Sequence, residues 1–209
     1  QAVRPDNQYL ELARKAGVPI VTETGLALGL NRSPWTAVSG SSGKSTTASL
    51  IAEMIRHHDP ESMFGGNIGG DLLTRVENRP HESLLTVELA SFQLTDIQDD
   101  FASGRAAPPN VAVLTNITPN HLDWHIDMDE YASAKQALLA YQTADDWAIL
   151  NVEDPLLAEW AQSANARVVH CRYDDPKTED ASFVRNNSIC LRLNGRDALR
   201  LPLSDFRLV

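Results

Sequence analysis

The sequence predicts an α/β fold: a mainly parallel sheet with helices on both faces, plus a small antiparallel appendage. Three observations predict it. Short apolar runs alternate with stretches of helical periodicity between residues 35 and 171. Those runs are apolar throughout rather than at every second residue, which marks strands covered on both faces. After residue 181 the pattern changes to brief strand-like runs separated by Asn186-Asn187 and Asn194-Gly195, both hairpin turn signals.

Taken in order, residues 6–17 read as a helix. Tyr9, Leu10, Leu12, Ala13 and Ala16 recur at helical spacing and Gly17 is the stop. Val18-Pro19-Ile20-Val21-Thr22 reads as a short strand, and residues 24–30 as a second helix. This opening is too short to bury a core of its own. It reads as the tail of a preceding α/β domain and its linker, residues 1–34. From residue 35 the alternation is regular. Strands are expected over 35–39, 84–89, 111–116, 147–152 and 167–171, and helices over 44–57, 128–142 and 155–164. In the second of these helices Tyr131, Ala134, Leu138 and Tyr141 share one stripe. The appendage is expected from runs at 182–185, 188–193 and 198–201. Residues 35–209 thus read as one domain.

Composition excludes several functions. The 209 residues carry 18 Lys and Arg against 28 Asp and Glu, a formal net charge of −10. A protein that tracks nucleic-acid phosphates would show the opposite sign. No apolar run approaches the roughly 20 residues of a membrane span, and the polar N-terminus resembles no secretory signal. The expected partners are therefore small molecules, with no nucleic acid and no membrane. Cys171 and Cys190 make neither a disulfide framework nor a metal-binding cluster, so both read as reduced and the expected location is the cytoplasm. The chain has no initiator Met and reads as a fragment.

An acidic protein must bind an anion locally, and one segment is built for that. Val38-Ser39-Gly40-Ser41-Ser42-Gly43-Lys44-Ser45-Thr46-Thr47 follows an expected strand and opens an expected helix. Glycines let backbone N–H groups close around phosphate oxygens, and the helix N-terminus adds partial positive charge. Lys44 suits β- and γ-phosphates, and the Ser45 hydroxyl suits Mg²⁺. Gly40, Ser41, Ser42, Gly43, Lys44, Ser45 and Thr46 are the expected nucleotide-binding residues. The sheet is accordingly of the phosphate-loop type. The generic pattern wants glycine at Val38, and Gly40 makes the turn instead.

Weaker signals surround it. Gly65-Gly66-Asn67-Ile68-Gly69-Gly70 is a second glycine-rich loop, where backbone can approach a ligand and the Asn67 amide can donate and accept. Glu88 ends an apolar strand, near the phosphates if that strand neighbours the phosphate-loop strand, where Mg²⁺ wants oxygen ligands. His121, Asp123 and His125 form a compact polar cluster after the next strand. Such a run could suggest zinc, but no cysteine or further ligand motif accompanies it. Lys135, on the following helix, reads from spacing alone as a solvated surface residue.

Together these pieces resemble the Mur ligases. The resemblance rests on Gly40-Ser-Ser-Gly-Lys-Ser-Thr-Thr47, Gly65-Gly-Asn-Ile-Gly69, Glu88-Leu-Ala-Ser-Phe-Gln-Leu94, Ile117-Thr-Pro-Asn-His-Leu-Asp123 and Tyr131-Ala-Ser-Ala-Lys135. Order and spacing look most like the family member that adds D-glutamate to UDP-N-acetylmuramoyl-L-alanine. The resemblance implies an ATP-dependent acid–amino-acid ligase of peptidoglycan precursor synthesis, working through an acyl phosphate. It implies ATP and two Mg²⁺ ions, with Mn²⁺ a substitute. Lys44 and Ser45 would hold phosphates and magnesium, and Glu88 the first metal. His121 and a carbamylated Lys135 would hold the second. Lys44, His121 and Lys135 are the implied catalytic residues, and Asn67 and Gln93 the implied contacts to the UDP-muramoyl substrate. The implied three-domain plan makes residues 1–34 a remnant of the UDP-binding domain and 35–209 the ATP-binding domain, with the C-terminal domain absent from this chain.

The sequence departs from the family wording at Ser41 and Ser42, where threonine and asparagine are usual, at Ala90, commonly serine, and at Trp124, frequently arginine. Within the class, another Mur ligase or a folylpolyglutamate synthase is the alternative. From another class, a partitioning-type ATPase explains the Gly43-Lys-Ser-Thr run but not Glu88, His121 and Lys135.

Overall fold

The computed structural model describes residues 3–4, 6–68, 70–78, 80, 82–120, 124–177 and 179–205. Helix α1 (Gln8–Lys15) begins where the Asn7 side chain accepts the Tyr9 N–H, and it buries no residue. The expected strand after it does not form: residues 18–22 pair with no other strand, and Val18 and Val21 stay 55% and 53% exposed. A strand needs a ladder partner, and these residues have none among the described residues. Helix α2 (Glu23–Leu30) follows, capped by Thr22, and buries Ala27 and Leu28 in the main core.

The chain then alternates. Strand β1 (Trp35–Ser39) leads to α3 (Lys44–Arg56), β2 (Met63–Gly66), α4 (Leu72–Glu77), β3 (Leu85–Glu88), α5 (Ser91–Ala102), β4 (Val111–Leu114), α6 (Met128–Ala140), β5 (Trp147–Asn151), α7 (Pro155–Ser163) and β6 (Arg167–Cys171). Strands β7 (Ala181–Arg185), β8 (Ser188–Leu193) and β9 (Arg196–Pro202) complete one nine-stranded sheet ordered β2-β3-β1-β4-β5-β6-β7-β8-β9. Pairing is parallel from β2 to β7 and antiparallel from β7 to β9. The expected appendage is therefore the far edge of the same sheet. Its turns carry Asn186, Asn187, Asn194 and Gly195 at positive φ, as the hairpin signals require.

Three elements go beyond the sequence expectation. Strand β2 is four residues long and half glycine, so its pattern resembles a loop. Helix α4 is a short turn capped by Asp71, whose side chain accepts the Thr74 N–H. Helix α5 buries Leu94, Ile97 and Phe101, a helical stripe that starts inside the Glu88–Leu94 motif. The core fills both faces of the central strands. Ala37, Val87, Ala112 and Ala148 lie in one register row and are fully buried, which lets helices pack close. Each fully buried leucine, such as Leu85, Leu94 or Leu138, contributes about 2 kcal/mol through the apolar surface it removes from water.

Helix α2 is fastened to this domain by polar contacts as well as by packing. Glu23 Oε1 accepts the Leu72 and Leu73 N–H groups at 2.8 and 3.0 Å, serving the N-terminus of α4. The sheet order reverses at β1, whose neighbours β3 and β4 lie on opposite sides. A crevice opens at such a switch point, beyond the strand C-termini.

Candidate functional site

The expected phosphate loop sits at that switch point, between β1 and α3. Gly40 has φ 143°, and a Cβ there would stand 2.0 Å from Thr115 Oγ1. Gly43, at φ 80°, is the N-cap of α3, and no side chain caps the helix. Its first N–H groups face the crevice as an anion site. Lys44 lies half-buried with Nζ donating to the Ser41 carbonyl at 3.0 Å. Ser45 and Thr46 are exposed.

The two serines of the loop serve the protein itself. Ser41 is buried, and its Oγ accepts the Thr118 N–H at 2.8 Å. The same oxygen lies 2.8 Å from the Thr118 carbonyl and 2.8 Å from the Tyr131 hydroxyl. The Ser41 backbone is engaged within the protein too, its N–H donating to the Asn116 carbonyl at 2.8 Å and its carbonyl accepting from Lys44. Ser42 is held on both sides of its backbone by Asn116. Its N–H donates to Asn116 Oδ1 at 3.0 Å, and its carbonyl accepts from Asn116 Nδ2 at 3.1 Å. Thr115 Oγ1 donates to that carbonyl at 2.6 Å.

Glu88 ends β3 directly beside Val38 of β1 and is 1% exposed. One carboxylate oxygen accepts from Asn67 Nδ2 at 3.2 Å, while Oε2 is buried with no hydrogen-bond partner. Asn67 is exposed, and its N–H donates to the Glu88 carbonyl at 2.8 Å. Gly66, at φ 107°, permits this: a Cβ there would lie 2.2 Å from that same carbonyl. A buried carboxylate oxygen without a donor is costly unless a cation completes it. Its place next to an anion site suits Mg²⁺, whose preferred ligands are oxygens.

Lys135 lies on the other side of the loop, and the solvated surface position that its spacing alone suggests is not where it sits. It is 1% exposed, under the Tyr131 ring with Nζ 4.7 Å from the centroid. The amine donates to the Gly40 carbonyl at 2.9 Å and to Ser39 Oγ at 3.3 Å. Burial pushes its pKa down to about 7, and the nearby Lys44 charge adds to the fall. Near neutral pH such an amine is divided about evenly between its neutral and charged forms. Burial likewise raises the Tyr131 phenol, opposed by its hydrogen bond to Ser41.

Gln93 takes a different place from the exposed one a substrate contact suggests. Its Oε1 accepts the Ala90 N–H at 3.0 Å at the start of α5, and its Nε2 donates to Thr24 Oγ1 at 3.2 Å, joining α5 to α2. His125 is buried, with Nε2 2.8 Å from Ser91 Oγ and its ring edge-on to Trp124 and Tyr131. His121 and Asp123 lie outside the described residues. Among the described residues no group of three His, Cys, Asp or Glu could hold a metal ion, and no helix is long and apolar enough to cross a membrane.

Sequence reasoning missed Thr115, Asn116 and Asp154. Asp154 Oδ2 accepts the Ile117 N–H at 2.7 Å and its Oδ1 the Leu156 and Leu157 N–H groups, so one carboxylate caps α7 and fixes the loop after β4. The Asp154-Pro155 pair at a helix start signals the cap but not the second duty.

Comparison with known proteins agrees with this fold. Residues 38–196 match the Mur ligase middle domain. A UDP-N-acetylmuramoylalanine–D-glutamate ligase of Symbiobacterium thermophilum is 42% identical over 95% of this chain, and one of Listeria innocua is 32% identical over 94%. The chain spans 42% of the length of each. Among solved structures, a UDP-N-acetylmuramoyl-L-alanyl-D-glutamate–2,6-diaminopimelate ligase superposes with a TM-score of 0.62 at 17% identity, covering 87% of this chain and 44% of that one. The MurF ligase from Thermotoga maritima in complex with ADP gives 0.59 at 20% identity, covering 83% and 42%. With a mostly parallel sheet that carries the expected phosphate loop at its switch point and a family match over most of its length, this chain belongs to the Mur ligase family, its residues 38–196 matching the middle domain.

Proposed function

We propose that this chain is the ATP-binding part of a ligase that adds D-glutamate to UDP-N-acetylmuramoyl-L-alanine. The observation that carries the reading is the pair of buried groups flanking the phosphate loop: the Glu88 carboxylate with an unpartnered oxygen, and the Lys135 amine, its pKa lowered by burial. A nucleotide-switched partitioning-type ATPase has no use for the second. The names of the relatives support the choice of D-glutamate over another acceptor.

In this reading the loop residues 40–46 and Lys44 hold the ATP phosphates. Ser45 and Glu88 hold one Mg²⁺, and His121 and Lys135 a second, with Mn²⁺ as a substitute. Bound metal supplies charge neutralisation for the transferring phosphoryl group. Lys135 serves as a carbamate: its neutral amine adds to CO₂, one proton leaves, and an anionic oxygen ligand replaces a cation that would repel metal. Asn67 meets the UDP-muramoyl substrate at the crevice edge, and Gln93 shares that role through the amide hydrogen not given to Thr24. The substrate carboxylate attacks the γ-phosphorus and ADP leaves. The amine of D-glutamate then attacks the acyl phosphate, loses a proton, and phosphate departs as the amide forms. The protein mainly positions the reactants and neutralises charge. Such chemistry on a nucleotide-linked precursor, with ATP and reduced Cys171 and Cys190, belongs to the cytoplasm.

Residues 1–34 are, in the same reading, the tail of the preceding UDP-binding domain and its linker. Support comes from Val18, Ile20 and Val21, exposed apolar side chains of a strand-like segment that has no sheet here. The test is acceptor dependence in the full-length enzyme. ADP release should require both UDP-N-acetylmuramoyl-L-alanine and D-glutamate. Release with another amino acid would make it a different ligase of the family. Hydrolysis indifferent to any acceptor would favour the switch ATPase.

A further inference from the structure

Asn116 and Thr115 have no role in the reaction described so far, yet they hold the crest of the phosphate loop. The Asn116 amide pairs with both backbone groups of Ser42, much as a neighbouring strand would. Thr115 adds a second donor to the Ser42 carbonyl, and the Ser41 N–H donates to the Asn116 carbonyl at 2.8 Å. The absence of a side chain at Gly40 is what lets Thr115 come this close.

The consequence follows from peptide geometry. The Ser42 carbonyl and the Gly43 N–H belong to one planar peptide unit, which is trans. Fixing the carbonyl towards β4 fixes that N–H in the opposite direction. On the Gly43 side steric resistance to a flip of this unit is small, because Gly43 has no Cβ and adopts either hand. A flipped unit would turn a carbonyl dipole towards the phosphates and remove a donor.

We infer that Asn116, assisted by Thr115, is a positioning residue for nucleotide binding, holding the Ser42–Gly43 peptide with its N–H presented to phosphate. The inference rests on reading residues 40–46 as the nucleotide-binding loop. Titration calorimetry with Mg·ATP, on this chain and its variants, tests it, with the melting temperature of each nucleotide-free variant as a folding control. Asn116→Asp keeps the shape and the acceptor for the Ser42 N–H but loses the donor to the carbonyl. Thr115→Val removes the other donor without adding charge, and Thr115→Ser restores it. The expected result is a loss of about tenfold or more in affinity for Asn116→Asp and Thr115→Val, with Thr115→Ser within about twofold of the parent and nucleotide-free melting little changed. A loss in Asn116→Asp alone would reflect its added charge and overturn the inference. So would affinity that falls only in proportion to melting temperature. Unchanged affinity in both variants, with Lys44→Ala abolishing binding, would overturn it while leaving the loop reading intact. Binding that survives Lys44→Ala would remove the loop reading and this inference with it.

Discussion

Glu88 and Lys135 are buried where folding alone gives no reason to bury them. A carboxylate taken out of water costs several kcal/mol, and the single hydrogen bond from Asn67 returns only about 1 kcal/mol. In the proposed reading a cation at Oε2 makes up the balance. Glu88→Gln should therefore leave nucleotide-free melting unchanged or higher, while the gain in ATP affinity on adding Mg²⁺ falls about tenfold or more. An unchanged magnesium effect in calorimetry would remove Glu88 from the metal site. Lys135 makes the same argument with opposite sign, since a carbamate would turn its buried amine into a ligand. Lys135→Ala in the full-length enzyme should cut turnover by about a hundredfold or more, with partial rescue by short carboxylic acids that fill the vacated space. Full activity without rescue would end the carbamate reading. At this scale the sequence was unevenly legible. The expected phosphate loop stood out because its sequence pattern is local. Lys135 on spacing alone resembles a surface lysine, although it lies four residues after Tyr131 on the buried stripe. Asn116 and Thr115 act across more than seventy residues, through contacts that only the β1–β4 register creates.

Elements were read best where their pattern was regular. Strands covered on both faces and hairpins marked by asparagine stood out. Strand β2 did not, because Gly65 and Gly66 are there to let the Glu88 backbone and the Leu72 side chain approach, not to favour extended chain. The run over 18–22 misled in the other direction, having strand composition without a ladder. The hairpins are also tied by charge. Arg192, 7% exposed, meets Asp175 at 2.6 Å and Asp197 at 3.0 Å, and lies over the Phe183 ring. Arg185 pairs with both carboxylates from the other strand. Hydrogen bonding from Arg192 holds the Asp175 carboxyl down to about 2. A carboxyl whose folded pKa is depressed contributes stability above its unfolded value of about 3.9, and loses it as pH falls through the folded value. Asp175→Asn should therefore lower the melting temperature at pH 5 to 7. The gap from the parent should narrow steadily between about pH 4 and pH 2. A gap independent of pH would mean that packing, rather than the ion pair, holds the Asp175 segment against the hairpin.

The whole molecule is a nine-stranded sheet with the candidate site at its switch point and a groove beside α2. Val21, Leu26, Leu30 and Leu73 line a groove of about 460 Å³ beside α2, away from the phosphate loop. Helix α2 packs into the core through Ala27 and Leu28, whereas α1 buries nothing, so the proposed tail and linker, residues 1–34, is anchored at α2. That anchoring was illegible because Glu23 and Thr24 reach partners at Leu72 and Gln93, far along the chain. What the described site supplies is a glycine-rich strand-to-helix loop, one buried carboxylate and one buried amine, which the proposed function assigns to nucleotide and metal. The chain spans 42% of the length of the two relatives compared above, and holding the substrates in line with ATP gives such a reaction much of its rate. The 209-residue chain measured alone should accordingly bind Mg·ATP, yet release no phosphate that depends on both UDP-N-acetylmuramoyl-L-alanine and D-glutamate. A coupled phosphate assay at saturating substrates, run beside the full-length enzyme, decides the matter. Substrate-dependent release from the short chain would place acceptor binding within these residues, and Asn67 and Gln93 would then carry far more of the substrate than the crevice edge alone suggests.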